Sequence, residues 1–417
     1  MVKVKLNTLL NLLFFIVLGG VFAKSLSIPF LSEHINKIEF LYLVSMLFLI
    51  FICNKKLNVE YLKISLIFYL LYLLISLLSS LKSFSVINLL QLMLNSKLIL
   101  SLIVFSAVQT VNFDKIYKLM FVLITFNVAF IAIQILTPSL YLVMMKGAIV
   151  DTIVQGTSLK RYSGVFYHPG PMGAFSSCLL LISVVRFFTK KYNKLDCPIF
   201  LFSLVSLISS GQRLETLSIL ISLLVVYAVL RLKSNAMRLA LVTIIPLVLY
   251  SFYFFQVNSF DTRFDNHSNA RLVLYIGGVK LANNYFPLGK GLSSYGSSTS
   301  EISETNAYAE VGIDSLWWFE GASYLTDTFW AMVIGESGWL GFLFYGLMII
   351  FLIKQCYAKL IKNRLDDDKW IYIIGLAMSI YFLINSFASP VYSGATLPLL
   401  IAGLFIGHSR QEKISEK

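Results

Sequence analysis

Long apolar runs alternate with short polar segments along the whole chain. Each run is about 17 to 25 residues long, which lets a helix cross the roughly 30 Å hydrocarbon core of a membrane. The pattern predicts an all-α, polytopic integral membrane protein that forms a single membrane domain over residues 1–417, with about twelve transmembrane helices. The predicted spans lie near 6–23, 38–53, 61–81, 86–108, 116–136, 171–189, 197–211, 214–230, 239–256, 327–353, 370–388 and 391–407.

The positive charges indicate how these spans are oriented. Most of the 34 Lys and Arg residues fall in alternate connecting segments, beginning with the N-terminal MVKVK and ending with the C-terminal HSRQEKISEK. Because segments rich in Lys and Arg stay in the cytoplasm, we expect both termini on that side. The net charge of +13 is explained by this topology, so the charge gives no reason to expect a nucleic-acid partner.

Composition supports the same class of protein. The chain is 58% hydrophobic and 13% charged, and a soluble fold of this size could not bury so much apolar surface. The four cysteines are Cys53, Cys178, Cys197 and Cys356. All four lie within predicted spans or near the cytoplasm, so we expect no external disulfide, and their spacing does not indicate a metal site.

Two external loops are longer than a helix connection requires. They cover residues 137–170 and 257–326, and a third external turn, SSGQRLE, is very short. Binding and catalytic residues concentrate in loops on one face of a rigid scaffold. We therefore expect the active site where these three segments converge.

Arginines on the external side oppose the orientation bias and need a compensating interaction. Arg161, Arg213, Arg263 and Arg271 lie there. Pairing with external acids or with lipid headgroups is one explanation. The other is a polyanionic substrate, since guanidinium stays charged and matches phosphate oxygens. For Arg213, which lies between two closely spaced apolar spans, the second explanation is favoured.

The second long loop contains a predicted helix and a cluster of aromatic residues. The helix is expected to start near Asn269, with Arg271 off its apolar stripe of Leu272, Tyr275, Ile276 and Val279. The glycine-rich PLGKGLSSYG that follows allows the backbone to approach a ligand closely. The aromatic residues are suited either to stacking on sugar rings or to an interfacial belt, and they are Tyr308, Trp317, Trp318, Phe319 and Tyr324.

Three ionisable residues are candidates for catalysis. Asp327 lies at the start of a predicted span, where it can act as a base or simply cap the helix. Glu336 lies deeper in that span, and an ionisable group there is a functional candidate unless it only pairs with an arginine. His168, in FYHPG, can act as a base or shape the entry to the next span.

The order of four motifs resembles the O-antigen polymerase and O-antigen ligase superfamily of bacterial membrane glycosyltransferases. The motifs are RYSGVFYHPGPMGA, SSGQRLETLSIL, NARLVLYIGGVKLANNYFPLGKGLSSYG and DTFWAMVIGESGWLG, and the resemblance covers roughly residues 155–345. It implies a multi-pass protein of the bacterial cytoplasmic membrane that transfers glycan from a polyprenyl-diphosphate carrier on the periplasmic side. It also implies an inverting displacement without metal or other cofactor. Arg161, Arg213 and Arg271 are then the diphosphate-binding candidates.

One departure from the ligase pattern bears on the acceptor. Ligases of this superfamily carry a histidine at the start of the span after the long loop, whereas this chain has Asp327 there. The departure favours a polymerase, whose acceptor is a second lipid-linked repeat unit, and a chain-length regulator is an expected partner protein. The alternatives are a ligase that transfers polymer to lipid A core and, in a different class, a flippase or transporter of lipid-linked oligosaccharide.

Overall fold

A computed structural model describes most of the chain. The described residues are 62–107, 113–145, 152–153, 160–166, 168–231, 270–303, 305–316, 318–319, 325–362, 369–394 and 396–408. Three of the predicted spans, 6–23, 38–53 and 239–256, lie outside these ranges.

The described residues are mostly helical, as the apolar pattern predicts. In chain order the helices are α1 (Lys63–Ser80), α2 (Val86–Asn95), α3 (Lys97–Ala107), α4 (Phe113–Leu136), α5 (Pro138–Met144), α6 (Pro169–Phe188), α7 (Asp196–Ser210), α8 (Arg213–Arg231), α9 (Ala270–Asn284), α10 (Ala307–Val311), α11 (Phe329–Lys362), α12 (Lys369–Asn385) and α13 (Thr396–His408). A two-residue antiparallel pair, β1 (Thr152–Ile153) and β2 (Lys160–Arg161), lies in the first long loop.

The helices support a membrane protein, although the predicted number of spans is only partly reproduced. Among the described residues, α1, α4, α6, α8 and α11 are long and apolar enough to cross a membrane. The predicted span 86–108 is instead two helices, α2 and α3, bent by 52°. Helices α7 and α12 are apolar but shorter.

A buried lysine lies at the bend between α2 and α3. Lys97 is 1% exposed and donates to the carbonyl oxygens of Ser393 (2.9 Å) and Gly394 (3.0 Å). These carbonyls belong to an irregular segment before α13, where backbone acceptors need partners. The lysine therefore satisfies non-helical backbone in the interior of the bundle.

Helix α11 is the centre of the packing. It contacts α1, α9 and α12, while α6 packs against α7, α3 against α13 and α8 against α12. The second long loop is itself a packed unit, because α9, α10 and the start of α11 share a small core. Tyr308 and Trp318, each 3% exposed, belong to this core, so neither is a sugar platform or part of an interfacial belt.

The predicted apolar stripe of α9 is only partly correct, since Leu272 is buried whereas Tyr275, Ile276 and Val279 are half-buried. The predicted start near residue 269 agrees with the observed start at Ala270. The buried face consists of Leu272, Val273, Leu274, Gly277, Gly278, Leu281 and Ala282. Two glycines determine this face, because a Cβ on Gly278 would lie 2.7 Å from the carbonyl oxygen of Ala331. Close backbone contact with α11, rather than side-chain size, sets the orientation of α9.

Helix α11 is broken at Gly338, which has φ +68°. A Cβ on Gly338 would lie 2.2 Å from the carbonyl carbon of Leu288, and one on Gly289 would lie 2.4 Å from that of Glu336. Only glycine fits at either position. The glycine-rich loop after α9 therefore packs directly against the backbone of α11.

Hydrogen bonds across this contact replace those lost at the break. The amide of Leu340 would reach the carbonyl of Glu336 in a regular helix, but it lies 3.4 Å from the carbonyl of Pro287. The Glu336 carbonyl instead accepts from the amide of Gly291 at 2.9 Å. The loop and the break thus satisfy each other's backbone groups.

A buried ion pair connects α6 with the start of α7. The Nε of Arg186 lies 2.9 Å from Oδ1 of Asp196, and the two side chains are 8% and 0% exposed. The same carboxylate oxygen accepts from the hydroxyl of Tyr117. The guanidinium also lies 4.9 Å from the ring centroid of Trp370 on α12.

Candidate functional site

The loop that carries Arg161 is held in a fixed shape by polar side chains of α4. Oε1 of Gln134 accepts from the amides of Ser163 (3.1 Å) and Gly164 (3.2 Å). Gly164 has φ +57°, and a Cβ there would lie 2.2 Å from Oδ1 of Asn127. This turn explains the glycine of the RYSG segment that opens the first motif, since only glycine permits both the backbone conformation and the close approach.

The side chain of Arg161 is bound to the turn between α7 and α8. Its Nε donates to the carbonyl oxygen of Ser210 at 3.0 Å. Its Nη2 contacts the carboxamide of Gln212, whose oxygen is assigned to this side because only that orientation places an acceptor opposite Nη2. Burial lowers the pKa of Arg161, as does the nearby charge of Arg271, whereas Asp327 acts in the opposite direction. Arg161, Arg271 and Asp327 are therefore close enough to interact electrostatically.

His168 is the N-cap of α6. Its Nδ1 accepts from the amide of Gly170 at 3.0 Å. Burial, followed by the charge of Arg161, lowers the pKa of His168 to about 4. The ring is therefore neutral at neutral pH, with its proton on Nε2 because Nδ1 is an acceptor. In this state His168 can donate a hydrogen bond but is poorly prepared to accept a proton.

Arg271 and Asp327 form an ion pair between the first turn of α9 and the residues that precede α11. Nη2 of Arg271 lies 3.2 Å from Oδ2 of Asp327, and the side chains are 49% and 31% exposed. Burial raises the pKa of Asp327, although the charges of Arg271 and Arg161 lower it. The carboxylate is thus accessible, cation-paired and more basic than an ordinary aspartate.

Arg213 is the first residue of α8 and is exposed. It follows Gln212 directly, so it belongs to the same turn that binds Arg161. Two residues later, Glu215 is buried and accepts from the hydroxyl of Tyr381 on α12. This contact fixes the first turn of α8 against α12.

Glu336 is engaged by the glycine-rich loop. It is 1% exposed, and its Oε1 accepts from the hydroxyl of Ser297 (2.6 Å) and the amide of Tyr295 (3.4 Å). Its partners in the described part of the chain are thus hydroxyls and amides, and it lies more than two helical turns into α11.

The structure therefore brings together most of the candidate residues. Arg161, His168, Arg271 and Asp327 meet at the end of the bundle where α6, α8, α9 and α11 begin, which we call the site face. Arg213 lies on the same turn as Gln212, which binds Arg161. Glu336 lies apart from these residues. Among the described residues, no group of three His, Cys, Asp or Glu side chains is arranged to hold a metal ion.

Sequence reasoning missed two parts of this site. The first is Gln212, whose position beside Arg213 in SSGQRLE was the only signal. The second is the end of α12, where the carbonyl of Phe387 accepts from the hydroxyl of Tyr275 at 2.8 Å. Ser386 accepts there from the indole of Trp330, also at 2.8 Å. Nothing in the local sequence around these residues indicates that they reach α9 and α11.

Fold and site together define a polytopic helical protein of the membrane type, with arginines and one accessible carboxylate gathered at one end of the bundle. Residues 198–346 match the family model described as O-Antigen ligase, and this match confirms the resemblance to the O-antigen ligase and polymerase superfamily. Members of that family are glycosyltransferase-like enzymes. The matched region includes Arg213, Arg271, Asp327 and Glu336, whereas Arg161 and His168 precede it. A search of curated proteins finds no significant match.

Proposed function

We propose that this chain is a polymerase of O-antigen or a similar surface polysaccharide. It would join oligosaccharide repeat units carried on undecaprenyl diphosphate at the periplasmic face of the bacterial inner membrane, with both termini in the cytoplasm. The observation that carries the proposal is the Arg271–Asp327 pair at 3.2 Å, within electrostatic range of Arg161. This arrangement offers cations to a diphosphate and a base to an acceptor hydroxyl.

The proposed reaction is a single displacement at the anomeric carbon. The acceptor hydroxyl oxygen forms the new glycosidic bond while the bond from that carbon to the diphosphate oxygen breaks, which inverts the configuration. The proton of the hydroxyl passes to Asp327 as general base. Negative charge develops on the departing lipid diphosphate, and the cationic fork of Arg161 with Arg213 and Arg271 would stabilise it.

His168 and Glu336 receive different roles in this proposal. The tautomer of His168, with Nδ1 occupied by the amide of Gly170, suits a hydrogen-bond donor to phosphate better than a base. Glu336, bound by the hydroxyl of Ser297 and the amide of Tyr295, suits a residue that holds the glycine-rich loop in place. A catalytic role for either remains a prediction that their substitution can test.

Ligase activity is the second candidate, because the matching family model is described as O-Antigen ligase. The acceptor would then be lipid A core rather than another lipid-linked repeat unit. The presence of Asp327 in place of the ligase histidine supports the polymerase. A flippase is less well supported, since the polar candidates gather at one end of the bundle rather than midway along it.

A deletion strain complemented with variants tests the proposal. Loss of a polymerase leaves single repeat units on the lipid core, whereas loss of a ligase leaves polymer on its carrier and loss of a flippase retains units in the cytoplasm. Asp327→Asn should insert normally but fail to restore the polysaccharide ladder on a gel. The matched control is Asp314→Asn, because Asp314 is an exposed aspartate in the same packed unit. A normal ladder from Asp327→Asn would rule out the assigned base.

A further inference from the structure

The carboxamide of Gln212 lies between Arg161 and the first turn of α6. With this carboxamide assigned so that its oxygen faces the donors, the oxygen accepts from Nη2 of Arg161 and, at 3.3 Å, from the amide of Gly170, which also donates to His168. The neighbouring carbonyl of Ser210 accepts from Nε of Arg161 at 3.0 Å. One short turn therefore binds two different nitrogens of the same guanidinium.

The position of Gln212 is itself tightly restricted. A Cβ on Gly173 of α6 would lie 2.9 Å from Cγ of Gln212, so the side chain passes over a glycine that leaves room for it. The backbone carbonyl of Gln212 is fixed as well, since it accepts from the amide of Thr216 at 3.4 Å in the first turn of α8. The side chain of Gln212 is thus confined by α6, and its backbone is anchored in the first turn of α8.

We infer that Gln212 is a positioning residue that orients the guanidinium of Arg161 toward the lipid diphosphate, an inference that rests on the proposed function. A guanidinium has five N–H donors in one plane. Contacts to two of its nitrogens fix that plane and leave further donors to form hydrogen bonds with phosphate oxygens. A flexible arginine would instead lose side-chain entropy each time the donor binds.

The neutrality of Gln212 is part of this role. A carboxamide oxygen accepts from Arg161 without cancelling its positive charge, whereas a carboxylate at the same place would form an ion pair with it. The ion pair would compete directly with the diphosphate for the same donors. A glutamate at this position is nearly the same size, so it separates the effect of charge from that of packing.

Steady-state kinetics of the purified full-length protein test the inference. The donor is the lipid-linked repeat unit extracted from the deletion strain, and KM for this donor and kcat are measured separately. Gln212→Ala should raise the donor KM on the order of tenfold, which corresponds to about 1.4 kcal/mol. Gln212→Glu should raise it further. Thr216→Ala is the control. Among the described residues the hydroxyl of Thr216 donates only to the backbone carbonyl of Gln212, so its loss keeps the carboxamide and should leave the donor KM unchanged.

A double-mutant cycle distinguishes positioning of Arg161 from a general structural role. If Gln212 acts through Arg161, the double variant Arg161→Ala/Gln212→Ala should have the same donor KM as Arg161→Ala alone. Additive effects would overturn the inference, as would an unchanged donor KM in Gln212→Ala when Arg161→Ala raises it. In both of these cases the proposed function survives. If Arg161→Ala leaves the donor KM unchanged, the role of Arg161 fails and the role of Gln212 fails with it.

Discussion

Replacement of Arg271 by alanine should change the pH dependence of the reaction in a defined direction. The proposed general base Asp327 could accept a proton only when ionised, so kcat/KM should fall as the pH drops through the pKa of Asp327. Burial raises that pKa above the ordinary value of 3.8, and Arg271 opposes the effect of burial. Without Arg271 the pKa of Asp327 rises further, and the acid limb of the profile should move to higher pH.

The exposure of the pair sets the size of this displacement. Arg271 is 49% exposed and Asp327 is 31% exposed, so solvent screens much of the attraction at 3.2 Å. Exposed ion pairs contribute about 0.2–1 kcal/mol, and one pH unit corresponds to about 1.4 kcal/mol. The limb should therefore move by less than about one pH unit, with Arg161 still present to favour the ionised carboxylate.

The assay is a pH profile of polymer formation from purified lipid-linked repeat units. Arg271→Ala should also lower the plateau value of kcat/KM, because a cation proposed to bind the diphosphate is lost. The pH at which the acid limb falls is measured independently of that plateau value. Arg271→Lys keeps the charge and should keep the limb near its wild-type position. An unmoved limb in Arg271→Ala, or a persistent limb in Asp327→Asn, would refute the assignment of Asp327 as the base.

Three further predictions concern the scaffold that supports the site. Gly338→Ala should destabilise the protein by more than about 1 kcal/mol, because of its positive φ and its contact with the loop. Gly346→Ala in the same helix, where an added Cβ meets nothing within 4 Å, should be neutral or slightly stabilising. Arg186→Ala should cost about 3–5 kcal/mol, since it leaves the carboxylate of Asp196 buried without its cation. Glu336→Ala should cost about 1–3 kcal/mol through unsatisfied loop donors. Thermal unfolding in detergent measures all four variants. Equal stability of the two glycine variants, or wild-type stability of Arg186→Ala or Glu336→Ala, would contradict these contacts.

The helices were largely predictable because hydrophobic length is a local property of the sequence. The predicted span 171–189 corresponds to α6, Pro169–Phe188, and the predicted span 116–136 falls within α4, Phe113–Leu136. The bend within 86–108 was not predictable, since the carbonyls that Lys97 binds come from residues nearly 300 positions later. The length of an apolar segment shows whether it can span a membrane, but it does not show whether the helix is straight or bent.

The charged residues of the candidate site could be predicted from the sequence, whereas the residues that support them could not. Arginines on the less positive side of the membrane stand out because they oppose a general bias. Gln212 and Gly278 have no such signal, because an amide and a glycine are unremarkable in any helix-rich chain. Their importance comes from close contacts made by other segments, such as the carbonyl of Ala331 against α9. The partly wrong apolar stripe of α9 follows from the same cause.

The charge balance of the site face explains why one carboxylate lies among its arginines. Helices α6, α8 and α9 all begin there, and each helix start adds partial positive charge to that of Arg161, Arg213 and Arg271. Without a bound anion, Asp327 neutralises part of this field through its contact with Arg271. If a diphosphate binds to the same arginines as proposed, it would take over that neutralising role and add negative charge beside Asp327. Both effects raise the pKa of Asp327, so the carboxylate would become a stronger base only when the donor is in place.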